Sequence, residues 1–262
     1  MKKEWRLILE ENCNGYYNMA VDEAIFINFP IHKIPTLRIY NWEKSFISIG
    51  YHQNINQLFK IDNSIPFVRR ITGGGAILHQ EELTYSLIFS KEDLDLSNKV
   101  KDSFKIICSF LIKFYSNLGL EAKFARDIFY EELDTHCDFC FATFQSFDLT
   151  INGKKIGGNA QRRSKNLILQ EGSIPIKVNL NKIEKVFKNP GNLSNFTYLK
   201  ELLKKEDTNF SKLSLLLAKS FRETFNCNLE RGPLTIREKN TVEVLLKKKY
   251  ISKKWNYYAL SE

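Results

Sequence analysis

The chain has little that marks an exported or membrane-bound protein. No segment approaches the roughly 18 uncharged apolar residues of a membrane span, so no transmembrane helix is expected. The opening, Met1 to Asn12, carries two lysines but no apolar core, because Arg6, Glu10 and Glu11 interrupt it. No export signal is therefore read, and the expected compartment is the cytoplasm. The five cysteines, Cys13, Cys108, Cys137, Cys140 and Cys227, are odd in number and lack framework spacing. That argues against a disulfide scaffold and fits a reducing compartment. Repeats, low-complexity tracts and linkers are also missing. The expectation is one domain over residues 1–262, with a helical C-terminal portion over about 211–262.

What is present is the composition of a folded protein, 43% hydrophobic and 13% aromatic. The net charge of +9 favours an acidic partner, whether nucleic acid, anionic membrane or acidic protein, and charge alone does not choose among them. Much of the excess lies in Lys247-Lys248-Lys249 and Lys253-Lys254, which read as a solvated helix face.

Apolar spacing over Tyr17 to Phe26 predicts a first helix, with Pro30 as its stop. Thr36–Tyr40 and Phe46–Tyr51 read as two strands of a hairpin, and Leu83–Ser90 alternates as a half-buried strand. Residues 103 to 118 place Phe104, Ile107, Cys108, Leu111, Phe114, Tyr115 and Leu118 on one helical face, which makes Cys108 core, and Gly119 ends the helix. Phe147–Ile151, Asn152-Gly153 and Lys154–Ile156 form a tight hairpin, and a further strand covers Leu167–Gln170. Two helices, around 211–225 and 235–249, follow. Hairpins without regular strand-helix alternation give an α+β class with mixed, largely antiparallel sheets and packed helices.

Two glycine-rich stretches carry the chemistry. The run Arg69-Arg70-Ile71-Thr72-Gly73-Gly74-Gly75-Ala76-Ile77-Leu78-His79 is neither a phosphate-binding loop ending in Gly-Lys-Ser/Thr nor a GxGxxG dinucleotide fingerprint. One turn seldom needs three consecutive glycines, so Gly73, Gly74 and Gly75 are read as backbone lying against a ligand. Arg69 and Arg70 point to opposite faces of their strand, and Arg70 is favoured as the one on the ligand side. His79 is either a satisfied core histidine or a group that orients the site. In the second run, Gly153-Lys154-Lys155-Ile156-Gly157-Gly158-Asn159-Ala160-Gln161, alternation turns one lysine to solvent and lets the other point inward. A charged lysine there stabilises a thiolate or an oxyanion; a neutral one accepts a proton from an attacking amine. Ahead of it, Cys137-Asp138-Phe139-Cys140 beside His136 is half a zinc site at most, so no metal is expected. Cys140 is either an inert buried thiol or a nucleophile activated by a neighbouring cation.

Together these motifs resemble the lipoate-protein ligase and octanoyltransferase family of the biotin/lipoate transferase superfamily, over nearly the whole chain. The resemblance rests on Asn18-Met19-Ala20-Val21-Asp22-Glu23, on Pro35 to Gln53, on the Arg69–His79 loop, on Lys155 to Gln161, and on the ending from Lys249-Tyr250 to Trp255-Asn256. It implies the ligase-like catalytic fold, an acyl tunnel beside Gly73–Gly75, and a carbonyl held near Lys155. Arg70, His79, Gly158 and Ala160 are the further substrate-binding residues so implied. The stretch from Cys140 to Leu149 is similar to the nucleophile-bearing segment of cysteine-type octanoyltransferases in the ligase-like branch. Two departures stand out. That branch commonly has Pro-Ser near Phe144-Gln145, and a histidine where Glu171 follows Gln170.

The implied reaction takes octanoyl from acyl carrier protein onto Cys140 as a thioester, then onto one lysine of a lipoyl domain or of the glycine-cleavage H protein, with no cofactor. The alternative implied by the same family is an ATP-dependent lipoate ligase using Mg2+ and an acyl adenylate, with Lys155 on the adenylate and Cys140 incidental. A nucleic-acid-binding role is not expected, because no helix-turn-helix precedes the motifs; no membrane partner is expected either.

Overall fold

The computed structural model describes residues 2–60, 64–97, 99–128, 146–204 and 208–260. Its centre is a six-stranded sheet in the order β10-β11-β6-β2-β1-β12. The strands are β1 (Glu4–Cys13), β2 (Thr36–Trp42), β6 (Glu81–Ser90), β10 (Gly158–Ser164), β11 (Leu167–Lys177) and β12 (Asn228–Arg231). A second sheet holds β3 (Phe46–Ile49) between β4 (Phe67–Arg69) and β5 (Ile77–His79). A third joins β7 (Lys123–Phe124), β8 (Leu149–Ile151) and β9 (Lys154–Lys155).

The class is α+β, as the patterning indicates, but several local expectations fail. Thr36–Tyr40 and Phe46–Ile49 are not a hairpin: β2 is parallel to β1 and antiparallel to β6, while β3 belongs to the second sheet. With a partner on each side, β2 has no free edge for β3. Nor does Pro30 end the first helix. Helix α1 (Gly15–His32) contains it and closes at Lys33, whose left-handed backbone lets its N–H reach the Phe29 carbonyl. Pro30 sits in the last turn on the exposed side, where one missing donor is tolerated. Because α1 links β1 to β2, the chain opens with a parallel strand-helix-strand unit that hairpin logic overlooks.

The short helices α2 (Ile55–Leu58) and α4 (Leu180–Val186) pack on the second sheet and α5 (Leu199–Leu202) on β11, and both faces of the large sheet are covered. Helix α1 packs on Ile8, Tyr40, Ile88 and Leu169, and on its far side meets α7 (Ile236–Leu245). On the other face, α3 (Val100–Asn117) and α6 (Phe210–Phe225) bury Trp5, Leu37, Ile39, Leu83, Tyr85, Leu87 and Phe89. Strand β6 is therefore not half-buried; its alternation separates an apolar face from a polar face that is also buried. Thr84 and Ser86 on that second face satisfy Trp42 and Asp22. Cys108 is fully buried in the α3 core, and Gly119, at φ 74°, follows the helix end.

The C-terminal pattern also differs from two uniform helices. After α7 a wider π turn spans Leu246–Tyr250, then α8 runs over Lys253–Tyr258. Lys247 and Lys248 face solvent, whereas Lys249 is buried, its Nζ 2.7 Å from Glu23 and 3.8 Å above the Trp255 ring. Among the described residues no helix is long and apolar enough to cross a membrane.

Candidate active site

The hairpin signal acts as a positioning device. Asn152 and Gly153 adopt φ values of 51° and 74°, the two left-handed residues of a tight hairpin turn. That turn fixes the register at Ile151 opposite Lys154 and Thr150 opposite Lys155. Alternation then sends Lys154 outward toward Glu201, 3.4 Å away, and Lys155 inward to 1% exposure. Inside, Lys155 Nζ stands 2.6 Å from Asp148 Oδ2, itself 8% exposed. An ammonium this deep without a counter-charge costs several kcal/mol, so the ion pair is what allows Lys155 to remain inside.

From Lys155 the chain turns directly into the glycine pair. Gly157 has φ 118°, and a Cβ there would lie 2.4 Å from the Ser173 carbonyl oxygen, so only glycine lets the chain enter β10 against β11. Ladder pairing sets Gly158 opposite Ser173, Asn159 opposite Gly172 and Ala160 opposite Glu171. Tyr115 Oη donates to the Ile156 carbonyl at 2.8 Å, and Tyr85 Oη donates to Asn159 Oδ1 at 2.5 Å. Helix α3 and strand β6 thus pin this stretch from behind.

The triple-glycine loop meets the same stretch. A Cβ on Gly74, at φ 85°, would sit 3.9 Å from Ala160 Cβ. The loop is clamped by Arg70, whose Nη2 donates to the Gly73 and Gly75 carbonyls at 2.6 and 2.8 Å. The same guanidinium donates to the Ser48 carbonyl and to Thr72 Oγ1. Gly50 makes room beneath, since a Cβ there would lie 1.9 Å from the Gly74 oxygen. With its carbonyls held by Arg70, the loop keeps the N–H groups of Gly73, Gly74 and Gly75 without an acceptor among the described residues. Preorganised donors of this kind suit a carbonyl that develops negative charge.

The two arginines divide as alternation requires, with both buried. Arg70 serves the glycine loop. Arg69 serves the other side, donating to the carbonyls of Gly50, Tyr51, Gln53, Trp255, Asn256 and Tyr257. Trp255 Nε1 returns a hydrogen bond to the Arg69 carbonyl at 2.7 Å.

His79 lies one layer back from the loop. It is 3% exposed, stacked on Trp42 with ring centres 3.7 Å apart, and its nitrogens meet Glu82 Oε1 at 2.8 Å and Ser48 Oγ at 2.7 Å. Burial pushes the Glu82 carboxyl up, but His79 and the Thr84 hydroxyl together hold it below the usual carboxylate range. His79 therefore positions Ser48, which in turn braces Arg70. Gly73, Gly74, Gly75, Arg70, Gly158 and Ala160 are brought together, the last two on β10, and Lys155 ends β9 just ahead of β10 in the chain. Cys140, with Cys137 and His136, lies outside the described residues.

Asp148 and Thr72 are not singled out from sequence as site residues, and Glu171 stands out there only as a departure from the octanoyltransferase pattern. A signal for Asp148 was available: the two-residue turn puts Lys155 opposite Thr150, so Asp148, two residues earlier, shares its face. Thr72 and Glu171 meet across 99 residues, and nothing local announces that contact.

Comparison with known proteins fits this arrangement. The lipoyl protein ligase A/B catalytic domain model matches residues 14–222. The chain belongs to that family. Octanoyltransferase LipM of Bacillus subtilis (strain 168) is 32% identical over 98% of this chain and 99% of its own length. Octanoyltransferase LipM of Clostridioides difficile (strain 630) is 34% identical over 97% and 98%. Among solved structures, lipoate-protein ligase A bound with ATP superposes with a TM-score of 0.82 at 25% identity, covering 98% of this chain and all of its own. A putative lipoate protein ligase from Thermoplasma acidophilum with bound lipoic acid gives 0.80 at 23%, covering 97% and 99%, a likeness of fold. The lipoyl ligase A/B fold thus accounts for the α+β architecture.

Proposed function

We propose that this family member is an octanoyltransferase of lipoate biosynthesis, carrying octanoyl from acyl carrier protein through Cys140 to one lysine of a lipoyl domain or of the glycine-cleavage H protein. The observation that carries this reading is the full-length similarity, above 30%, to proteins named octanoyltransferase LipM. The buried Lys155 at the end of the hairpin, just ahead of the β10 stretch that meets the glycine loop, supplies the chemistry.

In the first step the Cys140 sulfur attacks the octanoyl thioester; the carrier's C–S bond breaks and its sulfur leaves as a thiolate that takes a proton. In the second, the neutral amine of the target lysine attacks the enzyme thioester, the C–S bond breaks, and the amine's proton passes to the departing Cys140 sulfur. Thioester exchanges for thioester, then becomes a more stable amide, so no nucleotide or metal is needed to drive the sequence. Of the two roles open to Lys155, the ion pair with Asp148 favours the charged one, a fixed cation for thiolate and oxyanion. The glycine N–H groups add donors on the loop side. The three cysteines among the described residues, Cys13, Cys108 and Cys227, are free thiols, which suits a cytoplasmic setting.

The test is intact-mass measurement after mixing the protein with octanoyl-acyl carrier protein without ATP. The expected result is an octanoyl adduct that hydroxylamine removes and that Cys140→Ala lacks. Lipoylation by Cys140→Ala with lipoate and ATP would overturn the transferase in favour of a ligase.

A further inference from the structure

Glu171 is a charge-bearing group without a part in the chemistry above. It lies on β11 at 8% exposure, in a cross-strand row of Ala160, Glu171, Ser86 and Arg38 on the face covered by α1. Two features connect it to the glycine loop. Its row neighbour Ala160 lies against Gly74, and its Oε2 accepts the Thr72 hydroxyl at 2.5 Å. Thr72 Oγ1 in turn accepts from Arg70 Nε at 3.1 Å, and Arg70 grips the carbonyls of Gly73 and Gly75. A single donor chain therefore runs from guanidinium to hydroxyl to carboxylate.

We propose that Glu171 is a positioning residue for acyl transfer: its ionised carboxylate orients Thr72, steadies Arg70 and so sets the aim of the glycine N–H groups. The role of those groups toward an acyl carbonyl rests on the octanoyltransferase reading; the hold of Glu171 on the loop does not.

The surroundings make this hold sensitive to protons near neutrality. The titratable and charged groups that face Glu171 are Asp22 from α1, Arg38 and Tyr40 from β2, Arg70 from the loop, and Tyr250 from the π turn. Burial, reinforced by the negative charge of Asp22, pushes the Glu171 carboxyl up to about 7, against the pull of Thr72, Arg70 and Arg38. Below that pH the carboxyl is protonated, and the charge-assisted pull on the Thr72 hydroxyl is lost. The sign for stability is opposite. A raised carboxyl stabilises the fold least once ionised, so the wild type loses stability relative to Glu171→Gln as pH rises from the ordinary carboxylate value toward 7.

The experiment compares wild type, Glu171→Gln, Thr72→Val and Thr72→Ser at pH 6 and pH 8. Amide hydrogen exchange of the peptide over Ile71 to His79, corrected for the intrinsic pH effect, reports the loop. Wild type and Thr72→Ser are expected to gain about tenfold protection from pH 6 to 8, the scale of one charge-assisted hydrogen bond, while Glu171→Gln and Thr72→Val show no change. Single-turnover octanoyl transfer should carry a matching rise near pH 7 that Glu171→Gln lacks. Alkylation of Cys140 by iodoacetamide should keep one pH profile in both proteins, which separates the loop from ionisation of the thiol. A wild-type loop indifferent to pH, or a Glu171→Gln protein that retains the wild-type responses, overturns the proposal. Absence of any octanoyl adduct on wild type with the loop response intact removes only the transferase reading and leaves the Glu171 anchor standing.

Discussion

Replacing Asp148 with asparagine keeps its shape and deletes the charge that Lys155 meets inside the protein. At 2.6 Å the two ions attract by about 6 kcal/mol at an effective dielectric of about 20, before the cost of taking both from water. Removing one partner of such a buried pair costs about 3–5 kcal/mol, because the survivor stays buried without its counter-charge. The asparagine carbonyl still accepts a hydrogen bond, so the lower end, about 3 kcal/mol, is expected. An unfolding entropy of about 2.1 cal/mol/K per residue over 262 residues gives about 0.55 kcal/mol/K. The melting temperature should therefore fall by about 5–6 °C. Transfer should fall further, by about 10²–10³-fold, because the ammonium loses its aim. The double variant Asp148→Leu/Lys155→Met, with no charge to strand, should recover much of the stability and none of the activity. Calorimetry and single-turnover transfer on wild type, the asparagine variant and the double variant make the comparison. An asparagine variant melting within a degree of wild type, or a double variant melting no higher than the single, refutes the reasoning.

Gly50→Ala places a methyl against the Gly74 oxygen and should cost about 1–3 kcal/mol and at least tenfold in transfer. Gly73→Ala, with nothing within 4 Å, should stay within about 0.5 kcal/mol of wild type in a urea melt. Burial pushes Glu238 up, but the paired bonds from Arg6 and the Thr235 backbone N–H leave its carboxyl below the usual range. A lowered carboxyl stabilises the fold above its ordinary value and stops doing so as pH falls through the folded one. Glu238→Gln should thus flatten the acid limb of the melting curve below about pH 4.5, and an unchanged limb would remove this pair from the account. With a net charge of +9, the rate of encounter with an acidic carrier, read by stopped flow, should fall as salt rises; indifference to salt would exclude steering.

The parts of this protein legible in its sequence are those decided by neighbours in the chain. Asn152-Gly153 dictates its own turn, and the turn dictates that Lys155 rather than Lys154 goes inside. The face of α3 and its end at Gly119 follow from helical spacing and one glycine. What was hidden depends on distant partners. Strand β2 pairs with β1 across α1 and with β6 more than 40 residues on, so its adjacency to β3 in sequence misleads. Lys249 reads as one of three solvated lysines because its counter-charge, Glu23, stands 226 residues away. Glu171 shows in the sequence only as a departure from a pattern, because its consequence depends on Thr72, Arg70 and Asp22, each from another element.

The clasp between Arg69 and α8 orders events during synthesis. The strand that delivers the glycines is secured by carbonyls at 255 to 257, and 186 residues separate Arg69 from Trp255. A nascent chain still threaded through the ribosome at residue 250 holds every glycine of the loop yet lacks the piece that fastens its root. The root of the glycine loop is therefore fastened only after the residues through Tyr257 have been added.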